Sequence, residues 1–135
     1  MPPIPEQIAS HLLIWAVALF VFKHLIADFI VQTSWMAIGK ERKAGWAMPL
    51  LAHISIHAAG TLAIALLLAP QLAWLAVVDL VVHGVIDRSK SLVQQRFRFK
   101  TDQAAYWWLF GIDQTLHQLT HLAFAVWIAA AASAV

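Results

Sequence analysis

Long apolar runs interrupted by ionisable residues four apart set the pattern of this chain. The spacing occurs at His24/Asp28, His53/His57, Asp79/His83/Asp87 and Asp113/His117/His121. Residues four apart in an α-helix stand one above the other on a single face, so each run predicts a helix with one polar stripe. No strand-like alternation competes with this reading. A membrane-spanning helix takes about 20 apolar residues at a rise of 1.5 Å each. The runs then predict helices over about 8–31, 48–69, 72–91 and 108–132. Pro49 suits a first helical turn and Pro70 ends the second helix, leaving only a tight antiparallel return. The expected fold is an all-α, polytopic four-helix transmembrane bundle, with residues 1–135 as one domain.

Composition supports the membrane class. Hydrophobic residues make up 61% of the 135 and charged residues only 12%, about half the share usual in soluble domains. The start, MPPIPEQIAS, lacks the basic region of a signal peptide, so the first apolar run reads as a retained helix. The net charge of +2 matters less than its placement. Eight of the nine Lys and Arg residues lie between Lys40 and Lys43 or between Arg88 and Lys100. With four spans these segments fall on one side, which the positive-inside rule makes the cytoplasm of a bacterial inner membrane. Both termini then face the other side. Trp35, Trp46, Trp107 and Trp108 fall near the basic side and Trp15 and Trp74 toward the other, as an aromatic belt would place them. The segment about 92–104, with Arg96, Arg98 and Lys100 around Phe97 and Phe99, is expected to lie on the inner leaflet and hold anionic headgroups of membrane lipids. Because membrane proteins place basic residues this way by default, no nucleic-acid partner is expected. A homo-oligomer stays open.

The topology places the stripes at a common depth. His24/Asp28 and His83/Asp87 come late in helices that run toward the basic side, and His53/His57 and Asp113/His117 early in helices that leave it. At about 1.5 Å per residue, Asp28, His53, Asp87 and Asp113 form a tier roughly 6 Å deep, and His24, His57, His83 and His117 one roughly 12 Å deep. Asp79 and His121 lie about one turn further in. Four unpaired aspartates inside a bilayer would cost on the order of 10 kcal/mol, so they must face inward and be paired.

Metal coordination is the favoured reason. Paired imidazoles and carboxylates four apart present two ligands from one helix, as di-metal bundles do. With no cysteine, any metal must use imidazole and carboxylate, a set that suits zinc and also iron or manganese. The expected ligands are His24, Asp28, His53, His57, His83, Asp87, Asp113, His117 and His121, enough for two ions, with Asp79, Asp87 or Asp113 as general base. Gln32 and Gln114 flank the stripes, and Arg88 and Lys90 stand at the cytoplasmic mouth, where they could bind an anionic substrate group. His11 falls outside the cluster, and Lys23 is expected to point elsewhere on the first helix, snorkelling or pairing with a carboxylate. Gly60, Gly84 and Gly111 are expected to let helices approach closely.

At HLIADFIVQ, LLAHISIH, HGVIDRSK and GIDQTLHQLTH the chain resembles a family of small bacterial membrane proteins known as domain of unknown function 3307. The resemblance implies a four-helix membrane protein and brings no activity. A looser analogy in the His/Asp pattern points to intramembrane metal-dependent hydrolases. The favoured function is a metal-dependent hydrolase acting on a lipid or lipid-linked substrate at the cytoplasmic leaflet. An ion or proton transporter subunit, or a di-iron or haem membrane oxidoreductase, are the alternatives.

Overall fold

The computed structural model describes residues 7–133. Residues 1–6 and 134–135, which include the two chain ends assigned above to the non-cytoplasmic side, lie outside the described residues. Apolar runs with a single polar face give an all-helical chain, with no strand among the described residues. Helix α1 spans Ser10–Leu25 and runs on through a π-helical stretch, Ile26–Val31. A short helix, α2 (Ser34–Gly39), starts where the Thr33 hydroxyl accepts from the Met36 N–H. Helix α3 covers Ala47–Leu68, α4 Leu75–Phe97 and α5 Ala104–Ser133. Between α3 and α4 the predicted tight return is a single 3₁₀ turn, Pro70–Leu72.

Among the described residues, three segments are long and apolar enough to cross a membrane: Ser10–Val31, Ala47–Leu68 and Pro70–Phe97. The first two thirds of α5 carry Asp113, Gln114, His117, Gln118 and His121, which lowers its hydropathy despite its 30 residues. Helix bounds and one added element differ from expectation, and α5 already starts at Ala104 rather than about 108. Helix α4 continues through Leu92–Phe97, so the first part of the basic segment is helix, and it stops where Arg98 adopts a left-handed backbone (φ 52°). The added element is α2, which the apolar pattern did not announce. It docks on the start of α3, where a Cβ on Gly39 would lie 2.5 Å from the Pro49 ring.

The core divides by chemistry. At one end Ala16, Phe20, Ile64, Ala65, Leu72, Leu75, Phe124, Ala125 and Ile128 are buried together. The start of α1 and the end of α5 meet there, the Ala9 N–H donating to Ser133 Oγ at 3.0 Å. The outward faces are apolar, with Ile14, Phe22, Ile30, Leu67, Val77 and Leu119 exposed, as lipid-facing residues are. Helices α3 and α4 pack closely where Gly84 faces Ile54, an added Cβ there being 3.2 Å from Ile54 Cδ1. Gly111 differs from expectation, since nothing lies within 4 Å of where its Cβ would be.

Candidate metal centre

The other end of the core is polar. His24, His53, His57, His83, His117 and His121 are all buried, with His53 and His57 fully enclosed. The chain has seven histidines, and the seventh, His11, is exposed and lies outside the cluster, as expected of its position. Helical spacing stacks each stripe on an inward face, and the antiparallel packing brings the stripes together. His83 on α4 sits in the middle, its ring centroid 3.8 Å from His57, 3.9 Å from His117 and 5.3 Å from His53. His24 from α1 closes the group, 5.6 Å from both His57 and His117.

Four of the five aspartates, Asp28, Asp79, Asp87 and Asp113, thread between these rings. Asp28 lies in the π-helical stretch, where the wider turn sets a carboxylate inward while Phe29 and Ile30 stay exposed. Its oxygens are 2.8 Å from His57 Nε2, 3.1 Å from His24 Nε2 and 3.4 Å from His53 Nε2. Asp87 lies 3.3 Å from His117 and 3.4 Å from His53. Asp113 is 3.7 Å from His117, one helical turn away, and Asp79 is 3.5 Å from His121.

Among the described residues, four sets of ligand atoms lie within 4.8 Å of one another: Asp28/His53/His57/His83, His24/His57/His121, Asp79/His83/His121 and His83/Asp87/His117. These buried groups could hold a metal ion. Several ring nitrogens have no hydrogen-bond partner: both of His83, both of His53, and Nδ1 of His24, His57 and His121. A buried polar atom without a partner costs about 1–3 kcal/mol, and an ion shared among these nitrogens could satisfy several of them at once.

Lysines complete the cluster; sequence reasoning allowed Lys23 a carboxylate partner but set it apart from the stripe, and gave Lys40 no part. Lys23 points into the cluster rather than elsewhere on α1, its Nζ donating to Asp79 Oδ2 at 2.7 Å. Thr61, one turn beyond His57, donates to the same oxygen at 2.6 Å. Lys40, read from sequence as one of the cytoplasmic basic residues, is buried with its Nζ 2.7 Å from Asp87. Ser91, which extends the α4 stripe by one turn, donates to the Lys40 carbonyl at 3.3 Å. A lysine inside a membrane-length helix must be paired, a signal that could have placed Lys23. Nothing in the sequence distinguishes Lys40 from Lys43.

A cleft of about 150 Å³ leads from the loop end to the cluster, lined by Asp28, Gln32, Lys40, Asp87, Asp113 and Gln114 among others. Gln114 Oε1 is 3.2 Å from His24 Nε2, and Gln32 donates to the Asp28 carbonyl at 2.8 Å. Lys90 lines the cleft and pairs with Glu41 at 3.2 Å, with Asp113 4.0 Å away. Arg88 lies away from the cleft, its guanidinium 4.1 Å from the Trp46 ring centroid and donating to the Arg42 carbonyl. A larger cavity of about 240 Å³ shares Glu41, Lys90 and Phe110 with the cleft and adds Gln94, Tyr106 and Leu109.

Fold and site together define an all-helical protein with membrane-length helices around a buried histidine–aspartate cluster of metal-binding geometry. The chain belongs to the family described as protein of unknown function (DUF3307), whose model matches residues 9–135. No curated protein and no solved structure matches it.

Proposed function

We propose that this protein is a membrane-embedded, metal-dependent hydrolase acting on a lipid or lipid-linked substrate. Four transmembrane helices would place the cluster in the cytoplasmic half of a bacterial inner membrane, with the basic loops cytoplasmic. The observation that carries the reading is the set Asp28, His53, His57 and His83. Its four ligand atoms come from three helical segments, lie within 4.8 Å of one another and include His83, both of whose ring nitrogens lack partners. A self-contained polar network would satisfy its members, whereas this one leaves open the positions a cation would fill. Three imidazoles and a carboxylate suit zinc, with iron or manganese as alternatives.

A bound ion would lower the pKa of a coordinated water to about 7 and polarise a scissile carbonyl or phosphoryl group. Asp113 would take up the proton; in support, its Oδ1 has no hydrogen-bond partner and the residue lines the cleft. Asp87 orients His117 at 3.3 Å beside it. Gln114 and Gln32 line the path and can hydrogen-bond the substrate. The adjoining cavity, with Leu109 and Phe110 beside Lys90 and Gln94, suits a molecule that joins an apolar chain to a polar group.

The test is water-dependent cleavage of a panel of lipids and lipid-linked compounds by the zinc-loaded protein in detergent. The expected result is incorporation of ¹⁸O from labelled water, reduced about 10²–10⁴-fold in Asp113→Asn with the ion retained. Full turnover by Asp113→Asn would remove its assigned role, and no cleavage across the panel by metal-loaded protein would contradict the hydrolase reading.

A further inference from the structure

The four aspartates of the cluster are not equivalent. Among the described residues Asp79 has Lys23 at 2.7 Å, Asp87 has Lys40 at 2.7 Å and Asp113 has Lys90 at 4.0 Å. Asp28 has salt-bridge distances only to His24, His53 and His57. Two of the ligand sets therefore already hold a cation. In the set Asp79/His83/His121, the Lys23 ammonium sits 2.7 Å from Asp79 Oδ2 and 3.0 Å from His121 Nε2. An ammonium only donates, so His121 Nε2 must turn its lone pair to Lys23. That lone pair is then unavailable to a metal. In the set His83/Asp87/His117, Lys40 occupies Asp87 in the same way.

The fold makes room for Lys23. Its stem crosses α3 at Gly60, where an added Cβ would lie 2.7 Å from Lys23 Cγ and 3.6 Å from Cδ. The Thr61 hydroxyl beside it holds Asp79 Oδ2 at 2.6 Å. A side chain seated by a helix-crossing glycine and by the two side chains it touches belongs to the site and is not an incidental neighbour.

We infer that the cluster takes a single exchangeable divalent ion, at Asp28/His53/His57/His83, and that Lys23 Nζ is a tethered cation occupying what would otherwise be a second metal position. Lys40 Nζ does the same on the other flank. This rests on the metal reading above and specifies it. The tethered ammonium balances Asp79, so one ion suffices where a di-metal bundle would need two.

The test is zinc content per chain of the full-length protein in detergent, by elemental analysis after equilibration with zinc and desalting. Wild type should hold about one ion, and Lys23→Ala should hold about two, because the carboxylate and imidazole freed by the truncation become ligands. Lys23→Ala/Asp79→Asn should return to about one. A wild type with two ions overturns the inference, as does a folded Lys23→Ala with one. If Lys23→Ala accumulates only when zinc is supplied, the ion has replaced the ammonium as inferred, and failure of zinc to rescue it counts against the inference. Absence of any ion in wild type overturns the metal reading itself, whereas one ion in all three proteins overturns the role of Lys23 alone.

Discussion

At one end of the bundle Phe20, Ile64, Leu75, Phe124 and Ile128 meet with hardly a polar atom between them, while at the other six imidazoles, four carboxylates and two ammoniums share a similar space. Both ends are buried and built by the same helices. In lipid the apolar end gains little from hydrophobicity and is held by packing, so any close-fitting apolar residue serves there. The polar end is held by pairing, and each member depends on a particular partner. Phe20 marks the boundary, stacked on His121 at 5.3 Å and tilted on Phe124 at 6.1 Å. The apolar end also bears on transport. A conduit needs polar groups through the full thickness, and among the described residues the core at this end is an apolar cluster.

The contrast can be broken by substitution, starting with the largest expected effect. His83→Ala removes the residue common to three of the four ligand sets. Its metal affinity should fall by more than the 10–100-fold typical of losing an outer partner, measured by competition with a zinc chelator. Next comes Lys23→Ala in metal-free protein, which leaves Asp79 buried without its cation and should cost about 3–5 kcal/mol in detergent unfolding. Lys23→Met/Asp79→Leu should recover most of that loss, because both charges are gone. Gly60→Ala should cost about 1–3 kcal/mol by overpacking against the Lys23 stem. The smallest effect is expected at the apolar end, where Ile128→Val should cost about 0.5–1.5 kcal/mol and leave metal content unchanged. A change in bound metal in Ile128→Val would show that the two ends are coupled. Protons compete with metal for imidazole and carboxylate, so affinity should fall as pH falls in wild type, and chelator competition across pH measures it.

Much of the candidate site was legible because helical spacing is a strong signal in an apolar background. His53/His57, Asp79/His83/Asp87 and Asp113/His117/His121 stand out as stripes, and their convergence follows from antiparallel packing. What was not legible depends on geometry that spacing does not carry. The π-helical stretch at Ile26–Val31 contains no proline or glycine to announce it, yet it orients Asp28. The inward turn of Lys23 depends on Gly60 of another helix, which by sequence reads only as a place of close helix approach. Thr61 and Ser91 do extend the stripes at the same four-residue interval, but a hydroxyl in an apolar helix is too common to single out. The continuation of α4 to Phe97 runs through charged residues, where an apolar criterion for a span ends too early.

Metal content of the purified full-length protein, with His83→Ala alongside, tests the central claim most directly. The account predicts about one divalent ion per chain in wild type, removable by chelator and restored by zinc, and background metal in His83→Ala. A wild type without bound metal, or a His83→Ala variant that retains the wild-type content, would contradict it.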